Sequence, residues 1–342
     1  MQNHEQINLE RKLCDFKPLN NISNQKRIPF IIGIDLTSRC NLNCPHCYIN
    51  LPVNDSSAQS MELSLDEIDK ISDEAIDLGT LWIMLSGGEP LLRKDFTDIY
   101  LMLKKKGFLV SVLTNATLIT EEHIKLFEKY PPRALEISIY GMNDITFRNV
   151  TQKVINVNSF FRTLNTCILK GFNIILKTVA VPAVMHEVDQ MKALAAQYKN
   201  IDFKTETRLI SRIDQKGKPK TSDPADSDNL HELPESACTN HFGGNLFMCQ
   251  AGINSCWIGS DARIYPCTSL RYKNFSCSLR TTSLEYYWKT KIPEILGTVS
   301  RDRIFNETCG SCKDRASCGW CPALSWSETG QIDRKVDSIC IK

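Results

Sequence analysis

Three cysteines crowd into one short stretch, Cys40-Asn41-Leu42-Asn43-Cys44-Pro45-His46-Cys47, spaced Cys-x3-Cys-x2-Cys directly after an apolar run from Ile31 to Leu36. An iron-sulfur cluster ordinarily takes four thiolates, so a compact set of three leaves one iron open to bind something else. A structural zinc site is normally closed by four ligands. This loop therefore suits zinc only if His46 or a distant residue completes the set, and His46, lying between two ligands in the chain, is expected to point away.

A second candidate is Ser86-Gly87-Gly88-Glu89-Pro90, at the end of the next apolar run. In parallel α/β folds the carboxyl ends of the strands carry the ligand site, and glycines there let the backbone approach a small molecule closely. Taken alone, it also reads as a glycine turn before a helix. Further strand ends carry Thr114 and Asn115, Ser138 and Tyr140, and Lys177 and Thr178, polar groups able to face one shared ligand or to be ordinary strand-end residues.

The third feature is at the other end. Cys309, Cys312, Cys318 and Cys321 form a Cys-x2-Cys-x5-Cys-x2-Cys run, with Cys249, Cys256 and Cys267 upstream and Cys340 downstream. Eight thiols match two four-cysteine sites, although paired Cys-x2-Cys knuckles also describe a zinc ribbon.

Strands alternating with helices must position the first two features. From Pro29 the expected strands are 31–36, 81–85, 108–113, 135–140, 174–181 and 201–207. The expected helices include one capped by Ser64 with Glu67 in the capping-box position, and others capped by Asp95 and Thr120. A helix over 159–170 and one over 185–198 complete the set. Six βα units in succession predict an α/β fold, a partial (β/α)6 barrel of the TIM type. Residues 1–28 read as an N-terminal arm and 29–235 as the barrel, and 236–342, where cysteines become dense, as a second, cysteine-rich domain.

With 41 basic against 39 acidic residues among 342, the chain has no global attraction for nucleic acid or an anionic membrane. No apolar run approaches the roughly 18 residues of a membrane span, and residues 1–16 are too polar for a signal peptide. A cytoplasmic protein is expected. In such a chain, fifteen cysteines point to metal or redox chemistry rather than disulfides.

Taken together, the Cys40–Cys47 spacing followed one βα unit later by Gly87-Gly88-Glu89-Pro90 resembles the radical S-adenosylmethionine (SAM) enzymes. The resemblance implies a [4Fe-4S] cluster on Cys40, Cys44 and Cys47 and reductive cleavage of SAM to a 5'-deoxyadenosyl radical. It further implies that Glu89, with nearby backbone carbonyls, receives the methionine ammonium. Ser138 would then touch the ribose, Lys177 pair with the carboxylate, Tyr48 pack over the adenine, and Asn115 join the same wall.

The order of the C-terminal cysteines resembles the SPASM extension of that family, which holds two auxiliary [4Fe-4S] clusters. By that resemblance Cys249, Cys267 and Cys321 bind the first, with Cys256 or Cys238 as fourth ligand, and Cys309, Cys312, Cys318 and Cys340 bind the second. Ala262 stands where glycine is common, and Cys318 to Cys321 is one residue shorter than the commoner spacing.

SPASM-bearing relatives mostly modify peptides or proteins, and others modify haem precursors. Thr268 follows the Pro266-Cys267 pair where sulfatase-maturing relatives carry Asp, which argues against that activity. The phrases Ile137-Ser138-Ile139-Tyr140-Gly141 and Arg212-Ile213-Asp214 resemble members found beside small ribosomal peptides. The expectation is a peptide maturase acting on a small precursor peptide, fed by an electron donor such as flavodoxin or ferredoxin. Tetrapyrrole side-chain modification is the alternative, and a zinc-ribbon binding module the non-enzymatic rival. Were the reaction an epimerisation, Cys238 is the candidate hydrogen donor.

Overall fold

The computed structural model describes residues 17–49, 51–206, 209, 212, 249, 251–300, 305–313, 318–337, 339 and 340. After a helix α1 (Lys17–Lys26), six parallel strands follow in chain order: β1 (Ile31–Thr37), β2 (Trp82–Gly87), β3 (Leu109–Thr114), β4 (Ala134–Ser138), β5 (Ile174–Val179) and β6 (Ile201–Glu206). Between them run α2 (Leu65–Asp77), α3 (Phe96–Lys105), α4 (Glu121–Lys129), α5 (Asp144–Thr151), α6 (Val157–Leu169) and α7 (Val188–Ala196). This is the partial (β/α)6 barrel that the alternation predicts.

The two-residue period of the strands decides the rest. One face of the sheet carries Ile32, Ile34 and Leu36, Ile83 and Leu85, Val110 and Val112, Leu135 and Ile137, and Ile174 and Leu176, all buried in one core. That core includes the apolar stripes of the helices, among them Ile68, Ile71 and Ala75 of α2 and Ile99, Tyr100 and Leu103 of α3. The opposite face carries Asp35, Ser86, Ser111, Glu136 and Lys177. Polar side chains therefore line the concave side of the barrel.

Several local expectations meet the structure directly. Ser64 and Glu67 close a reciprocal capping box on α2, and Thr120 does so on α4 with His123 in place of the usual Glu or Gln. Asp95 does not cap α3. Its carboxylate is held by Arg93, with Nε to Oδ1 at 2.8 Å, and Arg93 also donates to the carbonyls of Leu36 and Leu63. Helix α5 had no sequence expectation: Asn143 caps it by accepting from Ile145 and Thr146 N–H. Helix α1 likewise occupies part of what reads as an irregular arm.

The largest departure is at residue 251 and beyond. Strands β7 (Ser255–Ile258), β8 (Arg263–Tyr265) and β9 (Cys277–Ser278) join the barrel sheet, giving the order β9-β8-β7-β1-β2-β3-β4-β5-β6. β7 lies parallel to β1, and β8 and β9 follow antiparallel. The first part of the cysteine-rich region is thus an edge of the barrel. Beyond it α8 (Ile292–Ser300) and α9 (Pro322–Thr329) surround a smaller core built on Leu270, Phe275, Phe305, Trp320 and Val336.

Gly33 shows how closely β1 and β7 are fitted. A Cβ built there would lie 2.2 Å from Cε3 of Trp257. Gly33→Val should therefore destabilise the protein by about 2 kcal/mol through overpacking. Thermal denaturation checks this, and a melting temperature equal to that of the parent would contradict the close fit.

Candidate functional site

The cysteine loop leaves β1 at its carboxyl end and is tied down from both sides. On one side Arg39 forms a two-pronged ion pair with Glu62, at 2.8 and 3.2 Å, and donates to the Val53 carbonyl. Thr37 hydroxyl donates to the same Glu62. On the other side lies the Gly87-Gly88-Glu89 segment ending β2. Gly88 N–H donates to Thr37 carbonyl at 2.8 Å, and Glu89 N–H to Arg39 carbonyl at 3.0 Å.

The glycines are there for this contact. A Cβ on Gly87, whose φ is +132°, would meet Thr37 carbonyl oxygen at 2.2 Å, and one on Gly88 would meet that of Arg39 at 2.3 Å. The two glycines thus let the end of β2 lie directly against the backbone that leads into Cys40.

Glu89 also has a different partner set from the one expected. Its carboxylate is fully buried and accepts from Thr114 hydroxyl at 2.7 Å, Leu91 N–H at 3.1 Å and Asn115 N–H at 2.8 Å. With those donors around it, it stitches the loops after β2 and β3 together. Pro90 follows as the first residue of a buried 3-10 turn.

From β3 the stitching reaches the thiols. Asn115 Nδ2 donates to Asn41 Oδ1 at 2.9 Å and lies 3.8 Å from Cys40 Sγ. Leu42 N–H points at Cys40 Sγ, 3.4 Å away, and Ile49 N–H at Cys47 Sγ, 3.5 Å away. Tyr140, just after β4, packs on Cys40, Leu42 and Cys44 and bonds to Ser138.

Burial, and then the neighbouring negative charges, push the Cys40 thiol up to about 12 and Cys44 well above its ordinary value. Three neighbouring sulfurs, two buried and one partly exposed, that repel one another as anions, each within reach of N–H donors or a phenol, fit a cationic iron-sulfur centre that would relieve that repulsion. Among the described residues, no three Cys, His, Asp or Glu side chains converge as they would on a single metal ion. Burial also lowers the His46 imidazole to about 4, so it is neutral, and its ring lies 6.2 Å from that of Tyr140.

Two other expected contacts are partly committed. Lys177 pairs with buried Glu136 on the adjacent strand, across the concave face. Tyr48 lies under the guanidinium of Arg271, whose Cζ is 5.2 Å from the ring centroid.

In the extension the structure brings the cysteines together in two groups. Cys267 is raised to about 12 by burial and then by the charges of Cys249 and Cys321. Cys309 is raised by burial and then by Cys318, Cys340 and Cys312. Cys321 thus reaches back past its own knuckle to the earlier cysteines. Cys256 belongs to neither group: it sits in β7, paired with Ile32 and buried in the main core, where an apolar strand environment raises it by desolvation alone. Cys238 lies outside the described residues.

Sequence reasoning overlooked Glu62, Asn41, Asp35 and Arg271. Only their three-dimensional partners reveal them, since a lone charged residue in a strand or loop carries no spacing signal.

Residues 34–195 match the Radical SAM superfamily model. The chain carries a radical SAM domain. It is an enzyme, and such a domain implies a [4Fe-4S] cluster and SAM. It is 24% identical over 342 aligned residues to the AdoMet-dependent heme synthase of Methanosarcina barkeri, covering 88% of this chain and 93% of that one. To the PqqA peptide cyclase of Bradyrhizobium diazoefficiens it is 22% identical, covering 92% of this chain and 86% of the relative. Among solved structures, Streptococcus suis SuiB bound to SAM superposes with a TM-score of 0.72 at 16% identity, over 100% of this chain and 88% of SuiB. SuiB bound to its precursor peptide SuiA gives 0.71 at 17% identity, over 94% and 79%. At these identities the solved structures speak for the shared fold.

The fully buried Glu89 carboxyl is raised to about 7 by desolvation, against the pull of its three donors. A folded-state value above the unfolded one means that the native state holds the proton more tightly. The associated stability is present at low pH and is lost as pH rises through the folded value. Stability should therefore fall between pH about 4.5 and 7, and Glu89→Gln should flatten that part of the profile. Thermal melts of both proteins across this range check it, and identical slopes would contradict the assignment.

Proposed function

We propose that this radical SAM enzyme is a peptide maturase, abstracting hydrogen from a ribosomally made precursor peptide to install a thioether or carbon-carbon crosslink or an epimerised residue. The observation that carries the reading is the coexistence of the Cys40–Cys47 loop with two further thiol groups in one chain, Cys249/Cys267/Cys321 and Cys309/Cys312/Cys318/Cys340. The likeness to a PqqA peptide cyclase across nearly the whole chain, and to SuiB with a precursor peptide bound, supports the peptide class.

When bound, the cluster and SAM supply reductive cleavage of SAM to a 5'-deoxyadenosyl radical able to take hydrogen from an unactivated carbon. The protein's part is to hold and exclude. Cys40, Cys44 and Cys47 carry the cluster, with N–H groups of Leu42 and Ile49 and the Asn115 amide directed at their sulfurs. Gly87, Gly88 and Pro90 shape the backbone that meets the methionine end, and Glu89 fixes that backbone from behind. Ser138 at the ribose, Lys177 at the carboxylate and Tyr48 beside the adenine complete the wall. Pairing with Glu136 holds Lys177 on the concave face, beside the row that carries Ser138.

In this reading 29–235 is the catalytic barrel and 236–342 the auxiliary-cluster region. Two [4Fe-4S] clusters sit on the two thiol groups, and Cys238 is either the fourth ligand of the first or a hydrogen donor. Such a protein would work in the cytoplasm with a flavodoxin or ferredoxin as reductant.

Anaerobic reconstitution should give a brown protein holding about twelve irons, as three four-iron clusters require. Cys44→Ala should abolish 5'-deoxyadenosine release, whereas Cys312→Ala should retain it and lose product. With a precursor peptide, loss of two mass units would mark a crosslink, and deuterium gain from heavy water an epimerisation. The heme synthase likeness favours tetrapyrrole modification as a second reading. Turnover of a tetrapyrrole with none of any peptide encoded nearby would replace the peptide assignment.

A further inference from the structure

Arg271 lies four residues beyond Cys267, in the extension, yet its side chain ends among residues of the barrel. Its guanidinium forms an ion pair with Asp35 on the concave face of β1, at 2.5 Å. Asp35 is fully buried, Arg271 is 9% exposed at its side chain, and the second carboxylate oxygen of Asp35 accepts from Trp257 Nε1 at 3.0 Å. Arg271 Nε donates to Thr268 carbonyl at 3.2 Å, so the guanidinium also braces its own loop. The cation lies beside Tyr48 on one hand and Tyr265 on the other, with Cζ at 5.2 and 5.6 Å from the ring centroids, and it shares a side-chain hydrogen bond with Tyr48.

Tyr48 directly follows Cys47. The segment is short and internally tied by the Ile49 N–H on the Cys47 sulfur, so whatever fixes Tyr48 also fixes the third thiol of the cluster loop. Arg212 meets the same place, with Nη1 3.4 Å from the Cys47 carbonyl.

We propose that Arg271 is a positioning residue through which the C-terminal extension holds the Cys47–Tyr48 segment, and with it the SAM-binding face of the cluster loop, in its working geometry. Asp35 is the buried counter-charge that aims it. Two properties of arginine are used at once: a fork of several donors, shared between the Asp35 carboxylate, the Thr268 carbonyl and the Tyr48 side chain, and a delocalised cation that lies against aromatic rings. Lysine has only the charge.

The test uses the reconstituted holoenzyme, reductant and SAM, with no peptide, so its failure would leave the peptide reading untouched. Arg271→Lys keeps a cation beside Asp35 and so avoids the strongly destabilising unpaired buried charge. Its iron content and melting temperature should match the parent, while its SAM dissociation constant, measured by anaerobic calorimetry, should rise about tenfold, the scale on which supporting contacts around a metal site act. The change that SAM produces in the EPR spectrum of the reduced cluster should weaken in parallel. Combining R271K with Tyr48→Phe, which removes the hydroxyl that hydrogen-bonds Arg271, should add less than the sum of the two effects, since both act through one contact. A merely structural role would lower iron content or melting temperature and leave the affinity of the folded protein unmoved. An iron-loaded R271K with parental affinity and an unchanged SAM-induced spectrum would overturn the proposal. Should R271K fold poorly, the charge-neutral pair Asp35→Asn with Arg271→Met is read against the same two outcomes.

Discussion

A single buried carboxylate fastens the site. Glu89 accepts from the hydroxyl of Thr114 and from the N–H groups of Leu91 and Asn115, which makes the ends of β2 and β3 one rigid unit. That unit in turn grips the backbone of Thr37 and Arg39, at positions where only glycine leaves room. A carboxylate in an apolar environment is costly unless each oxygen is satisfied, so the segments after β2 and β3 must close around it in one geometry. The cysteine loop inherits that geometry.

The concave face of the barrel follows a similar logic. Its acidic groups are each matched to a cation on another strand or segment, Glu136 with Lys177 and Asp35 with Arg271. Pairs of this kind contribute little net stability, but they fix which elements lie side by side. The Asp35 pair does this across the junction between the barrel and the cysteine-rich extension, where β7 has already extended the sheet. The extension is therefore joined to the active face by backbone pairing, by a buried charge pair and by aromatic packing on Arg271. Its own core is small, and Cys267, Cys309, Cys318 and Cys321 pack against it, where metal ligation would supplement modest hydrophobic burial.

Much of this was legible in the chain. Helix and strand periods, capping residues such as Ser64 and Thr120, and the glycines closing helices gave six βα units in their correct order, because these signals are local. The cysteine spacings were legible for the same reason: a loop that must present several thiols to one small object has few allowed lengths. Strands β7 to β9 were not, since they are short and carry no long alternation, and β1, the partner of β7, lies more than two hundred residues away. Asp95 misled because a good cap residue was claimed by Arg93, a competitor that is near in sequence but whose orientation depends on two distant carbonyls.

The amino-acid sequence by itself determined the chemistry available: three thiols short of a closed site, a glycine pair at a strand end, and a thiol-rich tail, each encoded by residue type and spacing. Only the tertiary structure decided what those residues do there. It made Glu89 a fastener between two strand ends, placed Cys256 in the apolar core, and brought Cys321 to Cys267 and Arg271 to Tyr48. Those outcomes rest on packing and on charge burial between segments far apart in the chain, and no local pattern carries that information.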